Sequence, residues 1–182
     1  MEQIKLPASS PITMKLLRLL LFFLLPFGTL HAQDTAIVKH QANLIAEATF
    51  KEDYQTVIAY THSSLIAVSG GKEKLHQLIV ERMQELKNQG IIGFSGTIGS
   101  PGKFYRAGNE LHCLLPEDII LTTSVGRYLS RSYLLGVSSD NGKNWTFLDV
   151  GSMPTDILHQ LLPNFNDELK IPPPVKPEFL PN

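Results

Sequence analysis

Histidines and a single cysteine are among the side chains of this sequence that could hold a metal ion or act as nucleophiles. The histidines lie singly along the chain, with no H-x-H or H-E-x-x-H pattern and no carboxylate one helical turn away in a ligand pattern. The sequence therefore predicts no metal site and no cofactor. The histidines considered are His40, His62, His76, His112 and His159.

The sequence also lacks the motifs of a nucleophile elbow and of a phosphate-binding loop. Cys113 alternates with Leu111 and Leu115, which is typical of a small hydrophobic residue buried in a strand. One cysteine also excludes an intrachain disulfide framework. Gly70-Gly71 lacks the G-x-x-x-x-G-K-[ST] spacing of a phosphate loop, and no G-x-S-x-G elbow occurs.

Composition excludes two further classes of protein. The 182 residues carry 16 Lys and Arg against 17 Asp and Glu, a balance that argues against binding nucleic acid by phosphate neutralisation. A hydrophobic fraction of 43% with nine Phe argues against a wholly disordered chain. We therefore expect a small globular domain without a nucleic-acid partner.

The first 32 residues have the pattern of a signal peptide. From Met14, the likelier initiator, Lys15 and Arg18 precede an apolar run over residues 19–25, and Pro26 and Gly28 end that run. The run is much shorter than the roughly 20 apolar residues of a membrane span. We expect cleavage after Ala32. Because Cys113 lies far downstream, the product would be a periplasmic or secreted protein that is soluble and not a lipoprotein.

Helical spacing of apolar residues dominates the first half of the remaining chain. It predicts a helix over residues 35–50, capped by Asp34 or Thr35, and a short second helix that begins after Asp53 and ends near His62. A third helix follows Gly70-Gly71 and ends at Gly90. Its predicted apolar face contains Leu75, Leu78, Ile79, Met83 and Leu86.

After Gly90 the apolar period changes to two, as in strands. Asn141-Gly142 is typical of a two-residue hairpin turn, and it would pair Leu134 with Asp149 and Leu135 with Leu148. Both faces of this hairpin are apolar. We therefore expect helices to cover one face, and a partner subunit, the tail or a ligand to cover the other.

The C-terminal region predicts one short helix over residues 154–162, followed by an extended proline-rich tail from Ile171. We expect the tail to lie on its own domain or to be partly disordered, and the alternative is that it docks a partner. The predicted organisation is a leader over residues 1–32, a domain over residues 33–151 and an extension over residues 152–182.

This order of elements resembles the nuclear transport factor 2-like superfamily, in particular its small exported bacterial members. The resemblance covers roughly residues 35–150, and its marks are Ser69-Gly-Gly-Lys-Glu-Lys-Leu75 and Gly142-Lys-Asn-Trp-Thr-Phe-Leu-Asp149. It implies an α+β fold in which three N-terminal helices pack in a curved antiparallel sheet that forms a cone. Such a cone often has a pocket at its open end and a dimer contact through the sheet.

The superfamily includes both enzymes and binding modules, so the fold alone gives little function. We expect a non-catalytic protein that binds a small apolar or amphipathic ligand, or that forms a homodimer. The alternative is a proton-transfer enzyme of the isomerase or dehydratase type, with His62, Asp149 and Tyr60 as its catalytic groups. The implied ligand-binding residues are Tyr54, Tyr60, His62, Leu114 and Trp145.

Overall fold

The computed structural model describes residues 29–181, with side chains from Thr35 onward. Residues 1–28 of the leader predicted over residues 1–32 therefore lie outside the described residues. Residues 33–182 belong to one compact unit of the chain. None of the helices within the described range has the length and apolarity that a bilayer crossing requires.

Within residues 29–181, four helices precede the sheet: α1 (Thr29–Phe50), α2 (Tyr54–Tyr60), α3 (Ser63–Val68) and α4 (Lys72–Asn88). The prediction of a helix start at Asp34 or Thr35 was wrong, because α1 begins at Thr29 and no helix-breaking residue lies between these positions. The predicted cap of α2 is confirmed, since the Asp53 carboxylate accepts a hydrogen bond from the Thr56 amide.

Helix α3 was not predicted, because six residues are too few for an apolar period to show. The entry and exit of α4 match the sequence. Gly70 and Gly71 precede this helix with φ of 90° and 100°, and Gly90 follows it with φ of 92°. These left-handed values favour glycine, which explains why the boundaries of α4 could be read locally.

The remaining chain forms a six-stranded sheet with antiparallel pairing throughout and a short helix after the fifth strand. The sheet is curled into a half-barrel, and the fold is α+β as predicted. Its order is β1-β3-β4-β5, with β2 beside β3 and β6 beside β4. The elements are β1 (Ile91–Ile98), β2 (Tyr105–Ala107), β3 (Glu110–Thr123), β4 (Gly126–Ser138), β5 (Thr146–Asp149), α5 (Thr155–Leu161) and β6 (Glu178–Pro181).

The predicted register of the β4–β5 hairpin is confirmed. Leu134 pairs with Asp149 and Leu135 pairs with Leu148. Asn141 and Gly142 have the positive φ values expected for a type I′ turn, 59° and 86°. The strand pairing nevertheless ends at Val137 and Thr146, so the connection is a longer loop and not the predicted two-residue turn. The Asp140 carboxylate stabilises the same loop, because it accepts hydrogen bonds from the backbone amides of residues 143 and 144.

Side chains of one sheet face, here called the inner face, pack against α1. Cys113, Leu115 and Phe147 are buried on this face with Val38 and Ala42 of the helix. The helix approaches closely at Gly136, where an added Cβ would lie 3.3 Å from Val38 and 3.2 Å from Trp145. Burial raises the pKa of the Cys113 thiol to about 12, so Cys113 is a buried hydrophobe, as predicted.

The opposite face, here called the outer face, is covered over β4 and β5 by the C-terminal region. Leu135 and Val137 of β4 are buried in a second core with Leu158 and Leu161 of α5 and with Leu169. Further along, β6 pairs with residues 126–129 of β4. The cover that the apolar hairpin requires thus comes from α1 on one side and from the chain's own C-terminal residues on the other.

Candidate functional site

A cavity of about 490 Å³ lies between the helices and the inner face of the sheet. We call it the inner cavity. Ala46 and Phe50 of α1 line one side, and Phe94, Ile119 and Leu121 of the sheet line the other. Its volume falls within the range of small-molecule sites, and most of its lining is apolar.

Strand alternation explains which side chains face the inner cavity. Alternate residues of a strand point to one face of its sheet, and the buried Cys113 and Leu115 place the odd-numbered residues of β3 on the inner face. Glu117 occupies the next inner position, before Ile119 and Leu121. A carboxyl group therefore interrupts an otherwise apolar series.

Glu117 is the buried ionisable group of this site, with only 8% of its surface exposed. Among the described residues its carboxyl group makes no hydrogen bond and no ion pair. Burial, together with the nearby negative charge of Asp149, raises the pKa of Glu117 to about 7. At neutral pH this carboxyl group is therefore close to half protonated.

Asp149 lies on the same face, at the end of β5, and is held in place by two hydrogen bonds. Its Oδ1 accepts from Ser132 Oγ at 2.6 Å and from the Gly151 amide at 3.1 Å. Ser132 is the direct cross-strand partner of Glu117. The pairing of β3, β4 and β5 thus brings two acidic side chains together around one serine.

The other polar side chains of the inner cavity are largely satisfied elsewhere. Thr49 and Thr61 donate their hydroxyl hydrogens to backbone carbonyls of Ile45 and Val57. Arg82, whose side chain is 63% exposed, pairs with Glu85 at 3.0 Å. Among the described lining residues, Glu117 is the side chain that is both buried and without a hydrogen-bond partner, so its carboxyl group is what the cavity offers to a ligand.

Of the residues predicted for proton transfer, Asp149 lines this cavity. Tyr60 packs at the edge of the inner core. His62 does not line this cavity. It caps the start of α3, where its Nδ1 accepts from the Ser64 amide at 3.3 Å. Desolvation by burial lowers the pKa of His62.

The predicted ligand-binding residues are not brought together. Tyr54 lines a separate groove of about 510 Å³ and contacts His76, with ring centroids 5.6 Å apart. Leu114 lies on the outer face beside the second core. Trp145 is buried in the inner core, and its Nε1 donates to the Gly142 carbonyl.

Sequence reasoning missed Glu117 as a site residue, although a signal was present. The inner positions of β3 read Cys, Leu, Glu, Ile and Leu, so one acidic residue occupies a buried place in the alternation. An acidic residue in an apolar series indicates a special site, because a buried carboxyl group needs a compensating partner or a changed pKa. Within residues 35–181, no three His, Cys, Asp or Glu side chains are grouped so as to hold a metal ion.

The fold and site together define an α+β half-barrel protein with an acidic group at the wall of an apolar cavity. Comparisons with protein-family models, with curated proteins and with solved structures found no match.

Proposed function

We propose that the protein binds a small apolar or amphipathic molecule in the inner cavity. The observation that carries this proposal is an apolar cavity of about 490 Å³ with one buried, unpartnered carboxyl group in its wall. Apolar walls supply affinity by removing hydrophobic surface from water, and a small number of polar groups orient the ligand.

Within this proposal the chain is an exported member of the nuclear transport factor 2-like superfamily. The support is the leader-like sequence before residue 33 and the order of helices followed by a curled antiparallel sheet. In this reading the half-barrel is the wall of the cone that the resemblance implies, and the inner cavity is its pocket. The helix and proline-rich tail at the C-terminus are an addition to that domain.

Self-association through the sheet is the less favoured form of the proposal. The outer face over β4 and β5 is already covered by α5 and the residues after it. A homodimer would have to use the surface outside this region, where Ile92 is 71% exposed and Val125 is 69% exposed. Isolated exposed hydrophobic residues of this kind are common on monomers.

A second candidate function is proton transfer, and the state of Glu117 favours it. A carboxyl group with a pKa near 7 is suited to exchange protons at neutral pH. Here Glu117 would be the base and Asp149 its acidic neighbour. No tyrosine is among the described residues that line the inner cavity, and Ser132 already donates to Asp149, so Ser130 would have to stabilise an enolate oxygen. Glu117→Gln would abolish turnover by an enzyme but leave binding of an uncharged ligand largely intact.

Binding in the inner cavity can be tested with the uncharged dye N-phenyl-1-naphthylamine, whose fluorescence rises in apolar surroundings. We expect the wild-type protein to bind the dye and Ala46→Leu to weaken binding by about tenfold or more, because the larger side chain fills the cavity. Ala67→Leu adds the same volume on an exposed part of α3 and should change nothing.

If Ala46→Leu fails to fold, Ser130→Leu fills the cavity from the sheet side and repeats the test. Equal dye binding by the wild type and a folded cavity-filled variant would refute the proposed site. Absence of dye binding by the wild type would refute an open apolar cavity.

A further inference from the structure

The charge of the inner cavity is unbalanced. Its lining contains three ionisable side chains: Glu117, Asp149 and Arg82. Arg82 is largely exposed and already paired with Glu85, whereas Glu117 is 92% buried and has no partner. Asp149 accepts two hydrogen bonds but provides no donor to its surroundings. The cavity wall therefore presents one buried carboxyl group, that of Glu117, beside the exposed carboxylate of Asp149, and no cation among the described residues pairs with either.

We infer that the ligand of this cavity is an amphipathic amine, whose ammonium group binds between Glu117 and Asp149 while its apolar part lies against α1 and the sheet. This inference rests on the proposed ligand-binding function and names the chemical class of the ligand.

An ammonium group fits this position because it has three donors and no acceptor. It would supply the hydrogen bonds that the Glu117 carboxyl lacks and would offset the charge of both acids. A buried carboxylate favours a nearby cation, so binding would ionise Glu117. In that step the ammonium keeps its protons and the Glu117 carboxyl releases one proton to the solvent.

Two other ligand classes match the cavity less well. An alcohol can exchange hydrogen bonds with a protonated Glu117 but cannot offset the charge of Asp149. A carboxylate would place a third acid beside these two, which is unfavourable by like-charge repulsion. The cation that could attract it, Arg82, is 63% exposed and pairs with Glu85 at 3.0 Å.

Three probes of equal chain length separate these classes: decylamine, 1-decanol and decanoate, each used below its micelle concentration to displace N-phenyl-1-naphthylamine at pH 7. We expect decylamine to displace the dye at a concentration about tenfold lower than either of the others. Glu117→Gln should remove most of this preference, and Asp149→Asn should reduce it. Asp118→Asn is the matched control, because Asp118 is adjacent in β3 but lies on the outer face, beside Arg131.

Calorimetry in two buffers of different ionisation enthalpy measures the number of protons released on binding. Binding through apolar contacts alone would release none. We expect decylamine to release about half a proton at pH 7, as follows from the pKa of Glu117 near 7, and Glu117→Gln to release none. Equal displacement by all three probes would overturn the amine inference and leave the proposed cavity intact. Failure of the dye and of every probe to bind would overturn both.

Discussion

Glu117 occupies a position in β3 where strand alternation favours an apolar side chain. Its neighbours on the inner face are Leu115 and Ile119, and its cross-strand partner Ser132 donates its hydroxyl hydrogen to Asp149. Nothing among the described residues offsets the charge that an ionised Glu117 would have. The fold therefore stabilises the protonated carboxyl, and ionisation has a cost that should be measurable as stability.

The free energy of unfolding should fall as pH rises, because Glu117 is harder to ionise in the folded protein than in the unfolded chain. Below about pH 4.5 the carboxyl is protonated in both states, so it has no effect. As pH rises from 4.5 towards 7, the unfolded chain ionises while the folded protein keeps its proton, so stability falls. The predicted loss is about 3 kcal/mol. Glu117→Gln, which cannot ionise, should be more stable than the wild type by about that amount at pH 8 and similar to it at pH 4.

Urea unfolding of both proteins at the two pH values checks this prediction. Asp118→Asn is the control, because its side chain is 48% exposed and its removal should have little dependence on pH. The comparison of variants also removes the effect of His112, a buried residue whose pKa is lowered by desolvation. Below about pH 6.5 the unfolded chain protonates His112 more readily than the folded protein does. The free energy of unfolding therefore falls as pH falls in every variant alike. An unchanged difference between Glu117→Gln and the wild type across this range would show that Glu117 is not buried as described.

At the scale of single residues, the sequence predicted part of the site. It identified Asp149 on the inner face because the hairpin register follows from the turn at Asn141-Gly142. It did not bring Glu117 near Asp149, because that arrangement depends on the pairing of β3 with β4. Trp145 was placed in a pocket through the family resemblance, whereas packing of the inner core buries it.

The elements at the C-terminus determine what the sheet can contact. Helix α5 and the residues up to 171 bury the outer face of β4 and β5. His112 of β3 is enclosed on the same side, stacked on Phe165 with ring centroids 5.8 Å apart. This packing makes the C-terminal residues part of the folded core rather than an appendage.

Adjacent residues of α5 provide a matched test of this packing. Leu158 is 1% exposed in the second core, and Ile157 is 39% exposed. We expect Leu158→Ala to lower the free energy of unfolding by about 2–5 kcal/mol, because it leaves a cavity, and Ile157→Ala to lower it by less than about 1 kcal/mol. Urea unfolding at pH 7 measures both. Equal, small losses would mean that α5 does not cover the sheet.

The sequence predicted the elements whose ends are marked by neighbouring residues, and it did not predict the elements that depend on distant parts of the chain or are too short to show a period. Glycines mark both ends of α4, and an Asn-Gly turn sets the β4–β5 hairpin. Helix α3 is too short to show a period, and strand β6 exists because a distant segment of β4 pairs with it. In the same way, the sequence showed that the outer face must be covered, but it did not show whether a partner subunit, the tail or a ligand covers it.

In the molecule as a whole, the two apolar faces of the sheet are covered to different extents. The outer face over β4 and β5 is filled by C-terminal residues. The inner face is filled by α1 at the end that contains Cys113 and Leu115, and it leaves the inner cavity at the end that contains Glu117. The half-barrel is thus covered on its outer side and has a cavity on its inner side, where we propose that a small molecule binds.

Native mass spectrometry of the protein purified from the cells that produce it can show whether the inner cavity holds a ligand. We predict that each wild-type chain has the extra mass of one small molecule, and that Ala46→Leu, which fills the inner cavity, lacks it while Ala67→Leu keeps it. An unliganded wild-type mass, or a bound mass that Ala46→Leu retains, would contradict the proposal that the inner cavity is a ligand-binding site.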